Sequence, residues 1–122
     1  LGIDFTARDI QQECKAKGLP WEKAKGFDGS AQISNEFINK KSLKLEDINF
    51  SLNLNNSLMQ KDNSKNMIFS FDQIISYISK YYTLRAGDLI YTGTPSGVGK
   101  VEIGDSLSCF INGREMLKVN IK

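Results

Sequence analysis

The sequence contains no histidine. That absence removes Ser-His-Asp triads, Cys-His dyads, H-E-x-x-H zinc sites and histidine proton shuttles from what these residues can build by themselves. Cysteine is scarce as well. Cys14 and Cys109 are the only two, they lack C-x-x-C spacing, and no ligand residue neighbours either, so two buried reduced thiols and a cytoplasmic setting are expected. No apolar run approaches the ~18 residues of a membrane span, so no membrane partner is expected. The signs of charge are interspersed, with 16 Lys+Arg against 14 Asp+Glu. This is not the clustered basic stripe of a nucleic-acid binder, and Lys15, Lys17, Lys40 and Lys41 are expected on solvated faces.

What is present is the composition of one ordinary globular domain, 40% hydrophobic and 25% charged over 122 residues. A chain of that length buries roughly two thirds of its unfolded surface, enough for a core. It begins at Leu1 rather than Met, and Leu1-Gly2-Ile3 already reads as strand. The expectation is a chain that starts partway through a larger protein, its N-terminal part absent.

Along the chain, Leu1–Phe5 reads as a strand end, and Thr6 with Asp9 forms a weak capping box for a helix from Ala7 to Lys17, stopped by Gly18. Residues 19–32 read as a loop packed down by Trp21 and Phe27. Phe50, Leu52 and Leu54 alternate with polar residues before Asn55-Asn56, a hairpin signal. Ser70 and Gln73 make a better capping box, opening an amphipathic helix of about three turns through Ile74, Ile75, Ile78 and Tyr81. Asp88–Tyr91 is a short β-rich run. Leu107, Cys109 and Ile111, then Asn112-Gly113, then Leu117, Val119 and Ile121 spell a second hairpin. Strands predominate, with two or three helices that do not alternate with them, which indicates an α+β fold.

Three places hold candidate chemistry. Gly93, Gly97 and Gly99 make a Gly-rich turn after the β-rich run, but no helix follows, so a phosphate loop is not expected. The turn is either a structural corner or a nest of N–H groups and hydroxyls, Thr92 and Thr94, for a carboxylate or enolate oxygen. Asp4 ends an apolar strand, either paired with Arg8 or serving as one ligand of a hard cation. Lys25 lies in a Gly-flanked segment and reads as a surface lysine on spacing alone, as Gln11 reads as a polar helical residue.

Taken together, Gly2-Ile-Asp-Phe-Thr-Ala-Arg-Asp9, Lys23-Ala-Lys-Gly-Phe-Asp28, Met67-Ile-Phe-Ser70, Ile90-Tyr-Thr-Gly-Thr-Pro-Ser-Gly-Val-Gly99 and Gly104-Asp105 resemble, in order and spacing, the C-terminal part of the fumarylacetoacetate hydrolase family. The similarity runs along residues 1–122 and is greatest to acylpyruvate hydrolase, oxaloacetate decarboxylase and bacterial isomerase/decarboxylase members. It implies a mixed β-roll, usually a homodimer, with one Mg²⁺ or Mn²⁺ per site. It also implies a small 2-oxo or 1,3-diketo acid substrate, hydrolysed, decarboxylated or isomerised through a metal-stabilised enolate.

By that resemblance Asp4 is one of three metal-ligating carboxylates, the other two belonging to a Glu-x-Glu motif absent from these residues, as is the family's catalytic histidine. Lys25 is the active-site lysine. Arg8 and Gln11 face the substrate carboxylate, and Thr94, with Gly93, contacts substrate from the Gly-rich loop. Asp9 remains a helix N-terminal charge and salt-bridge group. The alternative is a catalytically incomplete scaffold or interaction domain of the same fold.

Overall fold

Strict alternation in the second half of the chain builds the larger of two sheets. A computed structural model describes residues 1–122. In it β3 (Asn49–Leu54) pairs with β4 (Ser57–Asn63) and with β5 (Ser106–Ile111), and β5 pairs with β6 (Arg114–Asn120), all antiparallel, in the order β4-β3-β5-β6. Both expected hairpins form. Asn55 and Asn56 take φ of 48° and 67°, Asn112 and Gly113 φ of 48° and 81°, the left-handed pairs a two-residue hairpin turn demands. The ladder between β3 and β5 sets Leu52 opposite Cys109 and Leu54 opposite Leu107. One face of the sheet is thereby apolar, and Leu107 and Cys109 are buried in it.

β1 (Gly2–Asp4) and β2 (Ala31–Ile33) form a separate antiparallel pair. Ile3 joins the core with Leu107 and Cys109, surrounded by Phe5, Leu52, Leu54, Leu117 and Val119. Because strand side chains alternate, burying Ile3 turns Gly2 and Asp4 to the opposite, exposed face. The packing of one isoleucine therefore decides where the Asp4 carboxylate points. Large apolar surface stays uncovered elsewhere, with Ile68, Ile103 and Phe37 among the exposed side chains.

The helices depart from the local reading in instructive ways. α1 (Arg8–Lys17) ends at Gly18 as expected, but its N-cap is Ala7 and no side chain caps it. Thr6 is not the cap, because its hydroxyl is taken by Lys25. Within residues 19–32, read as loop, lie the single-turn helix α2 (Glu22–Lys25) and β2. Both owe their form to partners distant in sequence. Ala24 is fully buried, its carbonyl accepts from the Ala7 N–H at 3.0 Å, and β2 exists through its ladder to β1.

α3 (Phe71–Ile78) has the full capping box, the Ser70 hydroxyl accepting from the Gln73 N–H at 3.3 Å and the Gln73 carbonyl oxygen from the Ser70 N–H at 2.8 Å. It is eight residues long, not three turns, and Tyr81 lies beyond it. Asp88–Tyr91 joins no ladder. It runs through Thr92–Gly99 as irregular backbone and is tied down by side chains instead.

Candidate functional site

The end of β1 and the short helix α2 converge on one charged pair. Lys25 Nζ lies 2.7 Å from Asp4 Oδ2 and 2.7 Å from Thr6 Oγ1, donating to both. α2 is held for this by the Ala7–Ala24 backbone bond. Asp4 and Lys25 side chains are 48% and 35% exposed. A screened ion pair of this kind adds at most about 1 kcal/mol to stability, so its consequence is geometric. Two of the three ammonium donors are engaged and the third is free for a ligand. Asp4 keeps its second carboxylate oxygen free as well.

Arg8 does not pair with Asp4. Its guanidinium donates to Gln11 Oε1 at 2.8 Å, one turn along α1. Gln11 is buried, a polar side chain turned inward and satisfied by the arginine that it orients. Asp9 occupies the first turn of α1, where a negative charge suits the helix dipole. It takes part in none of the four ion pairs.

The Gly-rich loop, Thr92–Gly99, is fastened at both ends. At its start the Tyr91 hydroxyl donates to the Gln32 carbonyl of β2 at 3.0 Å. The Tyr91 ring lies over Gly2, where a Cβ would stand only 3.0 Å from Cε1. It therefore sits on the same face of β1 as Asp4. Burial, and next the Asp4 charge, push the Tyr91 phenol above its ordinary pKa. Thr94 is three residues on, within about 11 Å of Tyr91 along the chain.

At its far side the loop meets β4, the edge strand of the larger sheet. A bulge there sets Leu52 opposite Gln60 and Asn53 opposite Leu58, leaving Met59 as the extra residue. Gln60 Nε2 donates to Thr94 Oγ1 at 2.9 Å, to the Pro95 carbonyl at 3.1 Å and to the Ser96 carbonyl at 3.4 Å. Gly97, with φ of 94°, packs on the Met59 carbonyl so closely that no Cβ fits.

Gly93 and Thr94 face a groove of about 730 Å³ whose walls include Gly2, Phe50, Ile74 and Tyr91. Asp4, Lys25, Arg8 and Gln11 do not line it. The expected residues thus assemble as three pairs: Asp4 with Lys25, Arg8 with Gln11, and Gly93 with Thr94. Tyr91 ties the third to the strand that carries Asp4. Thr6 is read in the sequence only as a helix cap, and nothing there distinguishes Gln60, a glutamine on a strand, or Tyr91, a tyrosine before a threonine.

Asp4 offers the hard oxygen that Mg²⁺ or Mn²⁺ prefers. No group of three His, Cys, Asp or Glu side chains converges anywhere in the chain. These residues therefore fit one carboxylate of a divalent-cation site and not the whole of it.

Comparison with known proteins shows the family. The chain is 44% identical over 125 residues to oxaloacetate tautomerase FAHD1, mitochondrial, of Mus musculus, covering 100% of this chain and 55% of that protein. It is 45% identical over 114 residues to oxaloacetate decarboxylase, mitochondrial, of Dictyostelium discoideum, covering 93% and 52%. Fumarylpyruvate hydrolase from Pseudomonas aeruginosa, solved in complex with Mn²⁺ and pyruvate, superposes with a TM-score of 0.90 at 36% identity, covering 98% of this chain and 52% of that one. The chain spans about half the length of the relatives it matches. The family described as Fumarylacetoacetate (FAA) hydrolase C-terminal matches residues 1–122, and the chain belongs to it.

Proposed function

We propose that these residues form the C-terminal part of an enzyme that hydrolyses, decarboxylates or isomerises a small 2-oxo or 1,3-diketo acid with the aid of Mg²⁺ or Mn²⁺. The observation that carries this reading is the Asp4–Lys25–Thr6 constellation, a lysine held 2.7 Å from a carboxylate at the end of a strand. The remaining ligands belong to residues outside these 122, in keeping with a chain about half as long as its relatives.

The bound cation supplies Lewis-acid polarisation of substrate oxygens. The other roles fall to this chain. Asp4 contributes one carboxylate oxygen to the cation, while Lys25 Nζ sets a positive charge and an available proton beside it. A group so placed stabilises negative charge developing on a substrate oxygen, or donates to it. Arg8, steadied by Gln11, offers its planar guanidinium to the substrate carboxylate. Gly93 and Thr94 bring backbone and hydroxyl donors from the Gly-rich loop. A homodimer is the proposed assembly.

Support comes from the activities for which the relatives are named, oxaloacetate tautomerase and oxaloacetate decarboxylase, and from the Mn²⁺ and pyruvate bound to the Pseudomonas hydrolase. The test is turnover of oxaloacetate and fumarylpyruvate by the complete polypeptide with Mg²⁺ or Mn²⁺, beside calorimetric metal binding. Asp4→Asn should abolish metal-dependent turnover and weaken metal binding with the fold intact. Lys25→Met should keep metal binding and lower turnover by roughly 10²–10⁴-fold. Full metal-dependent activity in Asp4→Asn refutes the proposal. Absence of both metal binding and turnover in the unsubstituted polypeptide favours the scaffold alternative.

A further inference from the structure

The hydrogen bonds of Gln60 fix the polarity of the Thr94 hydroxyl. Two of the three atoms around the Gln60 amide are the carbonyl oxygens of Pro95 and Ser96, which can only accept. The amide nitrogen, not its oxygen, must therefore face the loop. The third atom is Thr94 Oγ1, at 2.9 Å from the same nitrogen. A hydroxyl approached by an N–H must accept from it, so its own hydrogen turns elsewhere. No other protein group takes that hydrogen, and Thr94 is exposed and lines the groove. Gln60 is half-buried on an edge strand whose bulge turns Met59 and Gln60 to this loop.

We infer that Gln60 is a positioning residue. It holds Thr94 as an obligate hydrogen-bond donor, so that the loop receives an anionic or carbonyl oxygen of the ligand and rejects a donor in the same place. This rests on the reading of Thr94 as a ligand contact given above. It adds to that reading the residue that sets the hydroxyl's direction and the chemical sign of what it meets. An oxygen without hydrogen, as in the carboxylate or keto group of a 2-oxo acid, satisfies the donor. A hydroxyl or amine arriving there in donor orientation leaves it unpaired, which is costly at a desolvated contact.

The test is equilibrium binding of pyruvate to the complete Mn²⁺-loaded polypeptide, measured from pH 4.5 to 8, each variant referred to the unsubstituted protein at the same pH. Thr94→Val and Gln60→Met should each weaken pyruvate binding about tenfold, and the double variant no more than either, against about a hundredfold for independent effects. Gln60→Glu presents acceptors in place of the amide N–H and should bind worst at neutral pH. As the pH falls to 4.5, close to the ordinary glutamic acid pKa of about 4.3, a growing share of protonated carboxyl donates to Thr94 again, and binding should begin to recover. That recovery should vanish in the Gln60→Glu/Thr94→Val double variant.

A residue that only braces the loop through Pro95 and Ser96 would regain its hold on protonation whether or not Thr94 is present. Recovery that persists without the Thr94 hydroxyl therefore overturns the inference, as does normal binding by Gln60→Met. If Thr94→Val binds pyruvate normally, the assignment of Thr94 to the ligand falls too. Weakened binding in Thr94→Val with normal binding in Gln60→Met defeats the inference alone.

Discussion

The seating of the Gly-rich loop on β4 can be tested by two substitutions that share one cost and differ in another. Gly93 and Gly97 have φ of 104° and 94°, beyond the left-handed well that an L residue tolerates. Alanine at either position incurs about 1–3 kcal/mol of backbone strain. At Gly93 that is the whole cost, since nothing lies within 4 Å of the added Cβ. At Gly97 the Cβ also meets the Met59 carbonyl oxygen far inside contact distance, with the carbonyl carbon at 3.1 Å and Gln60 Cγ at 3.3 Å. The Met59 carbonyl is backbone of the bulge, held between the laddered residues Leu58 and Gln60, and yields little.

Relief at Gly97 means lifting the loop, which breaks the bonds from Gln60 to Thr94, Pro95 and Ser96. At about 0.5–1.5 kcal/mol for each bond, and with the weakest of the three near the low end, the extra loss is about 1.5–3.5 kcal/mol. Urea unfolding of the complete polypeptide should separate the two variants by about 0.7–1.8 M in midpoint for a slope near 2 kcal/mol/M. Pyruvate binding should fall in Gly97→Ala well beyond its fall in Gly93→Ala. Equal midpoints, or a less stable Gly93→Ala, would refute the view that the loop is pressed onto the Met59 bulge.

Other expectations concern the scaffold. Ser70→Ala removes the reciprocal cap of α3 and should cost about 1 kcal/mol in denaturant unfolding while leaving turnover unchanged. Burial, with a lesser contribution from Glu115, pushes the Cys109 thiol from 9.0 up to about 11. Below pH 9 both states keep the proton. Between pH 9 and about 11 the unfolded thiol ionises first, so the folded state should lose up to about 2–3 kcal/mol. Cys109→Ala should melt with a flatter profile over that window, and iodoacetamide should not label Cys109 in the folded protein at pH 8. Tyr91→Phe keeps the ring over Gly2 and deletes the bond to the Gln32 carbonyl. It should cost about 0.5–1.5 kcal/mol and abolish the phenolate absorbance assigned to this raised titration.

Legibility in the sequence follows the distance over which a feature is decided. Asn55-Asn56 and Asn112-Gly113 announce their turns because a two-residue turn needs only two tolerant residues, and both turns form. The Ser70–Gln73 box is equally local and equally correct. α2 and β2 are not local. A four-residue helix has too few internal bonds to form unaided, and a three-residue strand exists only once β1 lies beside it. The stretch that holds them reads as loop for that reason. Asp4 and Lys25 stand 21 residues apart and Gln60 and Thr94 stand 34 apart, so no spacing rule connects them. Asp4 and Thr94 stand out individually, as an acid ending an apolar strand and a hydroxyl in a Gly-rich turn, and the resemblance of motifs joins Lys25 to them. Gln60 and Tyr91 stand outside the chemistry those motifs describe.

Thr6 shows how a failed local rule can mark a site. Its position before Arg8–Lys17, with Asp9 following, meets the requirements of an N-cap, and a cap is worth about 1 kcal/mol. The helix forgoes it and starts at Ala7 without a side-chain bond. The hydroxyl instead accepts from Lys25, which would otherwise have only the Asp4 carboxylate to hold it. A single exposed ion pair leaves a lysine free to swing, whereas two acceptors two residues apart at the end of β1 define one direction for Nζ and for its third proton. Stability given up at a helix terminus and direction gained at an ammonium group are what a site under functional constraint should show, since local rules are broken where something other than folding sets the choice. Thr6→Val makes this quantitative. It removes no cap but one hydrogen bond at a half-buried position, so unfolding should change by only about 0.5 kcal/mol, the low end for such a bond. If Lys25 works through its direction, turnover should fall while metal binding by Asp4 holds. A loss of stability near 1 kcal/mol with unchanged turnover would mean that Thr6 serves the helix after all.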